Sequence, residues 1–414
     1  MARVNLKIAD VDVSDGYDAG GNHYIVQVSP NKVYLLFIDK QSDILLAKST
    51  NNGLTWDEPQ KVISNVNTIA QLSYWYDGWS DINSSNLIHI AWSDNTVNYY
   101  YANYNTTTDT VSSTTTIVDL PYTAAQGAFL GLSLTRAKGG NLGLFYSVYV
   151  SSVSSYFSGF HKSSNTGSTW SSATTPDNFG VGANGILLPE FSSNDSQDMM
   201  MISQVETRTV LYKRFYDNSA NTWATSSFGT SSFGYSYGYP FISAFPDKIN
   251  SQSVVVAWDQ SGYPVSTTGA KLQCFTITSA STTEKTLIAT SSTSTAVAVI
   301  ACGISYNTLD NNWYAYYGGK PSGGEIRSNC NIYYRQSSNQ GTTRSSELPL
   351  TKDVPSIFNT QSFGLSELIV PPIVTTYNMV AFLANASDGG TAASTDPLYI
   401  NTFFPTAGGS IVIS

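Results

Sequence analysis

The chain has 414 residues, enough for two or three average domains or for one large repetitive one. Only 12% of them are charged, about half the usual share, and Ser, Thr, Asn, Gly and Tyr supply the polar groups, which suits β-strands with an uncharged surface. A net charge of -9 excludes a surface built to neutralise phosphates, and no run reaches the roughly 18 apolar residues of a spanning helix, so neither nucleic acid nor membrane insertion is expected.

The chain opens on MARVNLKIADVDVSDG, which lacks the apolar segment of a secretory signal. That leaves localisation open: cytoplasmic synthesis, with an extracellular surface or a virion as the place of action. Residues Val4 to Val13 read as a strand standing ahead of the first repeat, placed to complete the last one and close a ring.

Seven short apolar runs follow in order: Val33 to Ile38, Leu87 to Trp92, Leu142 to Val148, Met199 to Val205, Val254 to Trp258, Trp313 to Tyr317 and Met379 to Leu383. They recur about every 57 residues, and each is followed by a second, more polar strand, such as Ile44 to Lys48 (ILLAK) or Val210 to Phe215 (VLYKRF). Gly, Asn, Asp, Ser and Pro fill the linkers, and no window carries a helical period. The pattern predicts an all-β chain, a single β-propeller domain over 1–414 with seven four-stranded blades, six or eight being the alternatives. Approximate blades are 15–65, 66–120, 121–177, 178–230, 231–293, 294–353 and 354–414, with 1–14 closing the ring.

After the second of these strands, unit one carries Ser49-Thr50-Asn51-Asn52-Gly53-Leu54-Thr55-Trp56. Unit three repeats it from Ser163 through Asn165 and Gly167 to Trp170, and unit six from Ser337 through Asn339 and Gly341 to Arg344. Unit four holds a degraded copy, Tyr216 to Trp223. These segments resemble the Asp-box, Ser-x-Asp-x-Gly-x-Thr-Trp, of sialidases and other BNR-repeat propellers, with Asn at the Asp position. Physically, Ser and Asn side chains bond the turn's own amides, Gly takes the positive φ, and Trp packs against the hairpin as the fourth strand begins. The resemblance implies that the boxes are structural and lie on the face away from the ligand site.

A sialidase-like enzyme is implied by the same resemblance to need three clamp arginines, a Tyr paired with a Glu, and an Asp acid. Of seven arginines, Arg136, Arg208 and Arg327 remain as clamp candidates with Glu206 as the acidic partner, but the family's early Arg-Ile-Pro motif is absent. Another glycosidase would need two carboxylates roughly 5–10 Å apart. Candidates are Asp39, Asp77, Asp81, Glu190, Glu206, Asp259 and Glu325.

The ligand face should be built by loops joining strands two to three and by the crossings between blades. Tyr235, Tyr237, Tyr239, Trp258, Asp259, Trp75 and Trp79 are assigned to it, because aromatic rings beside fixed hydrogen-bonding groups suit the faces and hydroxyls of sugars. The reading is a non-catalytic propeller that binds a carbohydrate or glycoconjugate, lectin-like or serving host attachment, with an exo-sialidase or other exo-glycosidase and a structural virion or appendage protein as the alternatives. Cys274, Cys302 and Cys330 show no metal-ligand spacing, and His23, His89 and His161 lie far apart, so no cofactor is expected and Ca2+ has no sequence support.

Overall fold

The computed structural model describes residues 6–11, 24–39, 41, 43–64, 69–76, 86–94, 98–119, 127–150, 154–172, 184–189, 197–204, 210–230, 242–247, 252–259, 271–288, 302–319, 331–350, 368–375, 378–383 and 396–403. Within them every regular element is a strand, and the strands form seven sheets.

In chain order of its strands, sheet 1 contains Tyr24–Gln27, Val33–Ile38, Ile44–Ser49 and Gln60–Ile63. Sheet 2 contains Ile69–Trp75, Leu87–Asp94, Asn98–Asn105 and Thr115–Asp119, with Thr110–Val111 also on its third strand. Sheet 3 contains Gly127–Arg136, Leu142–Val150, Ser155–Ser163 and Ser171–Ser172, and sheet 4 Asn184–Pro189, Met199–Gln204, Val210–Asp217 and Thr222–Thr230. Sheet 5 contains Ile242–Asp247, Gln252–Asp259, Lys271–Ile277 and Thr282–Ile288, and sheet 6 Cys302–Asn307, Asn312–Gly319, Asn331–Ser337 and Leu348–Pro349. Sheet 7 joins Leu368–Ile369, Asn378–Leu383 and Asp396–Phe403 to the N-terminal strand Leu6–Val11, which pairs antiparallel with Asp396–Phe403.

The apolar runs picked out in the sequence are the second strands, and they are continuous rather than alternating because both faces of a sheet meet another sheet. All six residues of Val33–Ile38 are buried. Between sheets 1 and 2, Tyr34, Leu36 and Leu46 meet Ile88, Ile90 and Trp92, while Ala91, Tyr99 and Tyr101 on the other face of sheet 2 pack toward sheet 3. Phe145 and Phe160 meet Met199, Met201 and Tyr216 between sheets 3 and 4. Each such side chain contributes about 1.5–3 kcal/mol on burial.

The first strands of sheets 2 to 6 lie side by side. Serine hydroxyls lace them: Ser73 Oγ accepts Leu134 N–H at 2.9 Å, Ser133 Oγ accepts Leu187 N–H at 2.8 Å, and Ser243 Oγ accepts Ile304 N–H at 3.0 Å. Tyr74 donates to the Ile25 carbonyl, joining sheets 2 and 1. At the remaining seam, Pro371 and Pro372 interrupt the first strand of sheet 7, and Ile373–Val374 crosses to pair in parallel with Tyr306 and Asn307 of sheet 6. Thr375 N–H then donates to Gln27 Oε1 of sheet 1 at 2.7 Å.

Candidate functional site

An antiparallel meander gives each sheet two unlike ends. First-to-second and third-to-fourth connections lie at one, here called the turn end; second-to-third connections and the crossings to the next sheet lie at the other, the loop end.

At the turn end, the three Ser-x-Asn-x-Gly segments are built alike. Ser49, Ser163 and Ser337 Oγ accept the N–H of Gly53, Gly167 and Gly341 at 2.8, 2.9 and 2.7 Å. Asn51, Asn165 and Asn339 Oδ1 accept the N–H of Thr55, Thr169 and Thr343 at 2.9, 2.9 and 2.7 Å, and each Nδ2 donates to the same threonine's hydroxyl. Two successive left-handed residues form each turn: Asn52 and Gly53 (φ 60° and 75°), Thr166 and Gly167 (57° and 82°), Gln340 and Gly341 (59° and 78°). That conformation is why the second of them is glycine.

In sheet 3 the tryptophan meets its own hairpin, as the sequence suggests, and also the preceding sheet. Trp170 lies edge-on to Tyr101 of the preceding sheet at 5.4 Å, and its Nε1 donates to Gly167 O. A Cβ on Gly167 would overlap the Tyr101 ring. In sheet 6 the corresponding residue is Arg344, and the strand before it offers Cys274 in place of a tyrosine, so there is no ring to stack on. In the degraded unit-four copy Asp217 accepts Ser219 Oγ–H and Ala220 N–H, and the left-handed residue is Asn221. Without glycine at position 220 the hairpin closes by a different route.

Side chains of one sheet hold the third-to-fourth turn of the next. Lys48 pairs with Asp109 at 2.5 Å, and Tyr34 donates to the same carboxylate at 3.0 Å. Tyr101 donates to Thr166 O, Lys162 to Tyr216 Oη and Asn218 Oδ1, Lys213 to Thr278 O and Ser279 O at 2.8 and 3.0 Å, and Lys285 to Thr342 Oγ1 at 2.6 Å. Five successive junctions are latched in this way. The sequence signal was there, in Ala47-Lys48-Ser49 and His161-Lys162-Ser163, but a lysine beside a turn reads as solvated.

Two of the residues assigned from the sequence lie at the turn end. Arg136 pairs with Leu142, which pairs with Ser163, the first residue of a turn, and its Nε donates to Gly140 O. It therefore sits at the turn end and cannot join a clamp at the other. Trp75 ends the first strand of sheet 2, is 7% exposed, and packs with Tyr99 and Tyr101. It is core, and the 77–85 connection after it leaves the turn end. Trp258 and Asp259 end the second strand of sheet 5, paired with Leu272 and Lys271 at the loop end. Glu206, Arg208, Arg327, Tyr235, Tyr237, Tyr239 and Trp79 lie outside the described residues. In the chain, Glu206 and Arg208 fall between the second and third strands of sheet 4, Arg327 between those of sheet 6, and the three tyrosines between sheets 4 and 5.

No family model matches the sequence, and no curated protein matches it. Among solved structures, a polysaccharide lyase, an ulvan lyase bound to -[GlcA(1-4)Rha3S]-, is 9% identical over 96% of each chain with a TM-score of 0.52. A protein of unknown function from Dyadobacter fermentans is 11% identical over 96% of this chain and 99% of that one, TM-score 0.49. The NanB sialidase from Streptococcus pneumoniae is 12% identical over 97% of this chain and 70% of that one, TM-score 0.46.

The fold is that of a β-propeller.

In this propeller, one Tyr–Glu pair needs weighing as a nucleophile. Tyr317 donates to Glu347 Oε2 at 2.6 Å, but Glu347 adjoins the outermost strand of its sheet, and Tyr317 is fully buried. Burial and the bond to Glu347 raise the Tyr317 hydroxyl well above its ordinary range, the reverse of activation. The carboxylates described at the loop end are also committed. Asp39 Oδ1 accepts the N–H of Gln41 and Asp43, and Asp94 accepts Asn98 N–H and Tyr100 Oη–H, so each caps its own connection. Asp43 is buried against Lys61. His89, fully buried, bonds Tyr101 through Nδ1, and burial with the nearby Arg136 charge lowers its pKa to about 3. Among the described residues no group of three or more metal-ligating side chains gathers.

Proposed function

We propose that this chain is a seven-bladed, non-catalytic propeller that binds carbohydrate through its loop end, as a lectin-like or host-attachment protein. The observation that carries the reading is the division of labour between the two ends. At the turn end, side chains are spent on latches and turns, whereas 231–241 and 260–270, which together hold four Tyr and four Gly, arise at the loop end. Asp259 stands where Asp39 and Asp94 stand in their sheets, at the close of a second strand, next to Trp258 in the chain. Arg136 at the turn end leaves only Arg208 and Arg327 for a clamp that requires three arginines, which weighs against the exo-sialidase reading.

The test pairs a glycan array with turnover of a fluorogenic sialoside. Binding to a set of related glycans without turnover supports the proposal. Turnover lost in Arg208→Ala or Arg327→Ala would establish the exo-glycosidase instead, and neither binding nor turnover would leave the structural virion or appendage role.

A further inference from the structure

From the outer rim between sheets 5 and 6, we infer that this chain carries an oxyanion-binding site at the turn end, formed by Arg344, Arg335 and Lys285 and suited to a sulfate or carboxylate group. The site lies apart from the proposed glycan face and does not rest on it.

Arg344 occupies the position that holds tryptophan in the other Ser-x-Asn-x-Gly turns, and it is exposed. Its guanidinium makes no hydrogen bond or ion pair with any described residue, in contrast to Arg136, Lys48, Lys61, Lys162 and Lys213. Arg335 lies beside it, because Gln336 and Ser345 bond each other through both N–H groups across the hairpin. The Nε of Arg335 is buried with no partner, while the rest of its guanidinium meets the Tyr317 hydroxyl. Lys285, directly opposite Cys274 on the neighbouring sheet, is drawn into the same turn by its bond to Thr342 Oγ1. Three cations thus converge on one rim of a protein whose net charge is -9.

Of the nearby carboxylates, Glu347 accepts the Tyr317 hydroxyl, which Arg335 also meets, and Glu284 pairs across the strands with Phe275, on the face turned toward sheet 4. Desolvation, and after it the Arg335 charge, disfavours the charged form of Arg344, which is the electrostatic cost an incoming anion would remove. An arginine fork beside a second guanidinium and an ammonium matches the planar edge of a carboxylate or two oxygens of a sulfate.

The chain's seven arginines allow a direct reading, since each gives one Nε cross-peak in a 1H–15N spectrum. Sodium sulfate is titrated into the intact protein, with sodium chloride at matched ionic strength as the control. The expected result is saturable shifts of the Arg344 and Arg335 peaks, half-complete at roughly 1–10 mM, with Arg136 unmoved. In Arg344→Trp, which restores the residue of the other turns, the Arg335 response should weaken at least tenfold; Arg344→Gln serves if that variant misfolds. Shifts that chloride reproduces, or an Arg335 response that survives both substitutions, would overturn the site. Sodium glucuronate and a sulfated monosaccharide form the further arms: tenfold tighter binding than free sulfate identifies a glycan-borne anion, and equal binding a free one.

Discussion

Ser163 shows how much one oxygen does in a turn of this kind. Its Oγ accepts Gly167 N–H, which is buried, and in Ser163→Ala that amide has no replacement. The variant should lose about 1–2 kcal/mol in urea unfolding, whereas Asn165→Asp should change stability by less than about 0.5 kcal/mol. A carboxylate still accepts Thr169 N–H, and the threonine hydroxyl can reverse to donate. His89 supplies a pH dependence of known sign. Its folded pKa of about 3 lies below the ordinary 6.5, so the unfolded chain binds the proton more readily and stability falls as pH drops below 6.5. The loss between pH 7 and pH 5 from this group should be about 2 kcal/mol, and His89→Gln should flatten that part of the profile.

At the scale of elements, the latches make a prediction that the turns alone do not. Lys213 is 7% exposed, and its ammonium bonds two carbonyls of the next sheet's turn. Lys213→Met should cost about 1–3 kcal/mol and increase hydrogen exchange at residues 278–281, because those carbonyls lose a charged donor. Asp109 provides the acid counterpart. Burial raises its pKa, but bonds from Lys48, Tyr34 and Tyr104 outweigh this and hold it below the ordinary value. The clasp is therefore complete above the unfolded carboxylate's pKa and is lost as pH falls through the folded one, a loss that Asp109→Asn should abolish in acid unfolding curves. The second strands were legible in the sequence because their apolar runs are buried on both faces, and the third strands because a more polar strand follows each run. First strands were not, since Ser73, Ser133 and Ser243 lace neighbouring strands and break the pattern. Trp75 misled for a related reason: flanked by Tyr, Asp and Gly, it reads as loop, although its sheet continues to that residue.

For the whole molecule, closure depends on the chain's two ends meeting in sheet 7 and on Ile373–Val374 tying it to sheet 6. The period and the strand at Val4 to Val13 made that architecture readable in advance. The site was readable only in part, because residues brought to one end by seven separate sheets share no spacing in the chain; Arg136 and Arg208 look equivalent in sequence and attach to opposite ends of their sheets. The central claim, that carbohydrate is bound at the loop end, is tested most directly by hydrogen–deuterium exchange with and without a neutral glycan that the protein binds. Protection should appear in 205–209, 231–241 and 260–270 and leave the turns at 49–56, 163–170 and 337–344 unchanged. Protection of those turns with none at the loop end would contradict the account.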